Sequence, residues 1–79
     1  METPITVIGW EQAPKEKGGF NIRIYGTRQI VPVEGFECEG TEAVRLYFNP
    51  EYCKYQPTIG DVIIAIEGRY GIDRIVKIA

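Results

Sequence analysis

Hydrophobic and polar residues alternate with a period of two along most of this chain, and the 3.6-residue period of an amphipathic helix is almost missing. Ile5 to Trp10 opens the pattern as a first strand, rich in β-branched residues and preceded by Pro4. Ala13 to Gly19 (APKEKGG) reads as a turn, because Pro14 fixes φ, the lysines prefer water and Gly18-Gly19 supplies permissive backbone. Phe20 to Gln29 is a second strand, with Phe20, Ile22 and Ile24 on one face and Asn21, Arg23 and Tyr25 on the other. Pro32, Gly35 and Gly40 break the pattern from Val31 to Gly40. Thr41 to Phe48 resumes it, with Val44, Leu46 and Phe48 inward and Arg45 and Tyr47 outward.

Asn49 to Gly60 is a long connection in which Pro50 to Cys53 suits a single helical turn, since proline fits the first helical position. Asp61 to Glu67 is so apolar that both faces of this fourth strand are expected to be covered. Gly68-Arg69-Tyr70-Gly71 is then a tight hairpin turn, with a glycine at each end for positive φ, and Ile72 to Ile78 is a fifth strand. The prediction is an all-β protein, one domain over residues 1–79, rolled into a small five-stranded barrel, closed or partly closed. Closure removes the open sheet edges that invite aggregation. The oligonucleotide-binding and SH3-like barrels both fit, and the long connection before the fourth strand favours the first. An open sheet that dimerises to complete its core also fits a chain of this size.

Composition narrows the chemistry. The chain is 44% hydrophobic and 25% charged, the balance of a globular domain. At 79 residues it is too short for a two-domain cleft, and it has no histidine. Without histidine, cysteine–histidine and serine–histidine nucleophiles are excluded, and since Cys38 and Cys53 form no Cys-x-x-Cys pair a metal site has almost no ligands. Two reduced thiols, no cofactor, no small-molecule substrate and no enzymatic activity are the expectation. The longest apolar run, Val62 to Ile66, is far shorter than a membrane span, and Met1 to Pro4 lacks the basic start of a secretory signal. A cytoplasmic protein without a membrane partner is therefore expected.

Net charge is −2, which by itself argues against a nucleic-acid ligand. The acid is local, however. Glu34, Glu37, Glu39 and Glu42 fall within nine residues, and setting them aside leaves seven acids against nine bases. If the second and third strands pair, Arg23, Tyr25, Arg45 and Tyr47 share one outward surface, with Asn21 beside them. Rings beside guanidinium groups are the elements of single-strand binding: bases stack on the rings and arginines meet phosphates. The same pairs also simply stabilise sheets. Arg69-Tyr70 places a large cation and a large ring at a hairpin tip, either to meet a partner or to fold back over the core. Lys15, Lys17 and Arg28 read as solvated charges with phosphate contact as the alternative, Trp10 as core, and Tyr52 and Tyr55 as cover for the barrel end. Asp61 and Asp73 read as solvated hairpin carboxylates.

The run Tyr55-Gln56-Pro57-Thr58-Ile59-Gly60, an apolar strand, and then Arg69-Tyr70-Gly71-Ile72-Asp73-Arg74-Ile75-Val76 resembles the single-stranded-DNA-binding proteins of filamentous phages. Lys15 to Ile24 is similar to their DNA-binding wing. The chain also resembles small proteins carried on phages and mobile elements of Gram-positive bacteria. The resemblance implies a dimeric barrel of the oligonucleotide-binding type in which Tyr70 and Phe20 stack on bases and Lys17 and Arg23 contact phosphate. The acidic insertion from Glu34 to Glu42 departs from that pattern. The two readings differ at Phe20, which alternation places in the core and the resemblance places on DNA. The expected function is non-enzymatic binding of single-stranded nucleic acid, DNA by the resemblance, as a homodimer. A protein-interaction or assembly module of the same architecture is the alternative, with Tyr70 and the fourth strand meeting another chain and the acidic run facing a basic partner.

Overall fold

The computed structural model of the chain describes residues 3–69 and 71–79. Its strands are β1 (Ile5–Pro14), β2 (Phe20–Gln29), β3 (Thr41–Phe48), β4 (Val62–Gly68) and β5 (Gly71–Lys77). They form one antiparallel sheet in the order β3-β2-β1-β4-β5. β2 and β3 have the bounds that alternation predicts. β1 runs on past Trp10, because its ladder with β2 continues to Pro14↔Phe20. The lysine turn is thereby confined to 15–19, where Gly18 N–H bonds the Lys15 carbonyl (3.3 Å) and Lys15 N–H bonds that of Gly19 (3.1 Å).

The sheet is not closed into a barrel, which corrects the expectation of a small five-stranded barrel, closed or partly closed, and leaves the all-β class and the five strands as expected. The edge strands β3 and β5 approach within 8 Å between Cα atoms but share no ladder. Side chains of the 49–60 connection occupy the gap instead. Its one helical turn is closed by Cys53 N–H to the Asn49 carbonyl (2.9 Å), and the Asn49 side chain accepts from Glu51 N–H (2.9 Å). That turn carries Cys53 into the core formed by Ile5, Val7, Ile22, Ile24, Phe48 and Ile63. Tyr55 follows it, its ring centroid 6.3 Å from that of Phe48 at the end of β3. Tyr52, by contrast, is 76% exposed, so of the two tyrosines expected to cover this end only Tyr55 does so.

Two further residues leave the core they were expected to join. Trp10 and Phe20 lie on the inward side of the β1–β2 hairpin, opposite Ile24 and Pro14, yet both are about 40% exposed. The cause is the reach of the neighbouring strands. β3 ends at Phe48 opposite Ile22, and β4 pairs with β1 only at Ile5 and Thr6. A bulge between Val7 and Gly9 then turns β1 away, so its outer half leaves the reach of β4. The molecule measures 45 × 26 × 21 Å. β4 is covered on one face only: Ile63 is fully buried, whereas Val62, Ile64 and Ile66 are half-buried.

Asp61, expected in solvent, is buried. Its carbonyl accepts from Val7 N–H (2.8 Å), its carboxylate accepts from the Tyr55 hydroxyl, and Lys77 Nζ lies 3.3 Å away. The Tyr55 bond, then Lys77, holds this carboxyl below its ordinary 3.8. Burial, reinforced by Asp61, pushes the Tyr55 phenol upward. A carboxyl whose pKa is depressed by folding contributes stability above its unfolded value and loses it as pH falls through the folded one. The melting temperature should therefore be level from neutrality to about pH 5 and drop below about pH 4. Asp61→Asn should lower it at pH 7 and flatten the acid limb, as thermal melts followed by circular dichroism will show. A wild-type melting temperature unchanged between pH 5 and pH 3 would remove this linkage.

Candidate nucleic-acid interface

The antiparallel register of β2 and β3 sets Arg23 opposite Tyr47 and Tyr25 opposite Arg45. Opposite residues of a ladder point to the same side, so the four expected side chains do share one outer face. Their cations and rings engage one another. The Arg23 guanidinium lies 4.9 Å from the Tyr47 ring centroid and that of Arg45 lies 5.7 Å from it, both within cation–π range. Arg45 and Tyr47 are exposed, whereas Arg23 and Tyr25 are half-buried.

A fifth member, Glu11, escapes the sequence reading. It stands opposite Arg23 on β1, and its Oε1 accepts from Arg23 Nη1 (2.5 Å) and from the Tyr25 hydroxyl (2.7 Å). The hydrogen bond from Tyr25, then that from Arg23, keeps the Glu11 carboxyl below its ordinary value. A first strand ending at Trp10 leaves Glu11 outside the sheet. The available signal was hairpin symmetry, because a turn centred on Lys17 brings residue 11 beside residue 23. Arg23 is consequently a brace: one nitrogen is committed to Glu11, and among the described residues its buried Nε has no acceptor. Arg45 is the cation this face presents, with no carboxylate in ion-pair range among the described residues.

The face runs into an open cleft of about 860 Å³. Asn21 and Tyr47 line it from the sheet, Lys15 from the β1–β2 turn and Arg69 from the β4–β5 hairpin. Lys17 is exposed in that turn, and Phe20 is exposed where β2 begins. Tyr70 lies outside the described residues. Gly71 takes the positive φ (109°) expected at the hairpin; Gly68 does not, and serves instead to admit Asp73, whose Cβ would stand 2.7 Å from a Cβ there. Arg28 is tied to Glu42 (2.7 Å) across β2 and β3. Glu34, Glu37 and Glu39 occupy the exposed 31–40 connection together with Val31, Val33 and Phe36. In the same connection Cys38 is exposed, while Cys53 is buried, and both are free thiols.

No protein family, no curated protein and no solved structure matches this chain. Among the described residues no helix is long and apolar enough to cross a membrane. The functional reading therefore stands on the geometry of the face and its cleft.

Proposed function

We propose that this protein binds single-stranded nucleic acid, without catalysis, across the outer β2–β3 face and the adjoining cleft. The observation that carries the reading is the cross-strand register that interleaves Tyr25 and Tyr47 with Arg23 and Arg45 beside Lys15 and Arg69. Oligonucleotide-binding barrels are five-stranded and partly open, and they hold their ligand on the strand 2–3 face between the 1–2 and 4–5 loops. The strand order, the approach of β3 to β5 and the entry of Lys15 and Arg69 into the cleft from those two loops all support that assignment. Bases stack on Tyr47; Arg45, Lys15, Lys17 and Arg69 neutralise phosphates, and Arg23 holds the face in shape. Stacking accepts any base, so sequence preference is weak. DNA as the ligand follows the phage resemblance. A homodimer is supported by the apolar strip of Val62, Ile64, Ile66 and Val76 on the side of β4–β5 opposite Ile63.

Fluorescence anisotropy of a labelled oligothymidine of roughly 20 nucleotides, at about 20 mM and about 200 mM salt, tests the reading. Micromolar or tighter binding that collapses at the higher salt is expected, because phosphate contacts release counterions. Absence of binding at ~100 µM protein in the lower salt would reject it. The assembly-module reading would then take its place. It is favoured by one observation, the exposure of Val31, Val33 and Phe36 among three glutamates, a surface suited to a basic protein partner.

A further inference from the structure

We propose that the bound strand continues past Tyr52 into a second cleft, walled by Lys54, Arg74 and Lys77, which holds its phosphates; this rests on the nucleic-acid reading above. The second cleft, about 530 Å³, lies between the β5 edge and the segment from Tyr52 to Gln56. It adjoins the first, since Tyr52 and Asp73 line both. Charge is sharply sorted along the pair. Among the described residues, five of nine lysines and arginines line the two clefts, against one of ten acids, Asp73. In a protein of net charge −2, that concentration of cations in two joined grooves points to an extended polyanion.

The individual groups suit the role. Lys54 and Arg74 are exposed, and among the described residues neither has a carboxylate in ion-pair range. Lys77 touches Asp61 at 3.3 Å, yet its side chain stays 59% exposed and one ammonium can serve two acceptors. Tyr52 stands at the junction with its ring in solvent, where a base crossing from one cleft to the other can stack on it. A peptide strand added to the open β5 edge would use the same groove through backbone bonds, but it would not need three cations.

Oligothymidines of about 5 and about 15 nucleotides distinguish the two clefts, since one such domain covers roughly 4–16 nucleotides. Wild-type protein should bind the longer strand at least about tenfold more tightly per site, the second cleft being engaged intramolecularly. Lys54→Ala/Arg74→Ala should bind the short strand as wild type does and lose most of that gain. Its log–log salt slope on the long strand should fall by about 1.4, the value for two phosphate contacts on a single strand. Both side chains are exposed, so an unchanged melting temperature is expected and checks the fold. An unaltered length gain and slope in the variant would overturn the second cleft while leaving the first reading intact. Loss of short-strand binding in the variant would also overturn it, by placing these cations in the first site. Failure of the wild type to bind either strand would remove both.

Discussion

Replacing Arg45 and Tyr47 together by alanine is expected to weaken oligothymidine binding by roughly a hundredfold, about 3 kcal/mol. Stacking of one base on one ring is worth roughly 1–3 kcal/mol, and a lost phosphate contact adds to it at low salt. Tyr47 is the exposed ring between the two arginines, so removing it takes away the stacking surface and the ring that orients both cations. Arg45 is the arginine of this face with no ion-pair partner among the described residues, so its loss is a loss of available charge. Both side chains are exposed, and surface changes of this kind usually alter stability by less than about 0.5 kcal/mol. Arg23→Ala behaves differently. It removes the guanidinium bonds to Glu11 and Tyr25 and leaves only the bond between those two, so it should lower the melting temperature along with the affinity. An Arg45→Ala/Tyr47→Ala protein that melts normally and binds as tightly as wild type would take the ligand off this face.

The parts of this site that are legible in the sequence are those governed by one strand pair. β2 and β3 are each an unbroken alternation, and a single register decides which residues share a face, so the four Arg and Tyr positions follow directly. What escapes depends on a third strand. Glu11 belongs to the site only because β1 continues beyond Trp10, through a stretch whose inward positions, Trp10, Gln12 and Pro14, carry no consistent apolar signal. Trp10 and Phe20 have the inward side that alternation assigns, but exposure is decided by where β3 ends and β4 begins, which no local pattern contains. Asp61 is the same case in reverse. A carboxylate before a strand is ordinarily solvated, and here Tyr55 and Lys77 come to it from either side in sequence. The open seam between β3 and β5 has a related origin, since Cys53 and Tyr55 fill with side chains the space that a ladder would have closed.

Gly26→Ala is expected to produce the largest loss of stability from a single added methyl group: about 2 kcal/mol, or a melting temperature lower by roughly 8–16 °C for a domain of this size. A Cβ at position 26 would stand 2.5 Å from Ile5 Cγ2 and 2.8 Å from the Thr6 carbonyl oxygen. Neither neighbour can withdraw. Thr6 is the residue at which both ladders of β1 meet, paired with Thr27 on one side and Val62 on the other. Ile5 is buried in the core and paired with Ile63. The added carbon must therefore push β1 away from β2 just before the bulge, where β1 leaves the core and carries Glu11 toward Arg23. Loss of affinity should accompany loss of stability, because the displaced segment braces the binding face. Gly9→Ala is the matched control on the partner strand. It has no neighbour within 4 Å of the new Cβ and no positive φ, so it should be neutral or slightly stabilising. Equal melting temperatures for the two alanine variants would mean that β1 and β2 are not as closely apposed at Gly26 as their register requires.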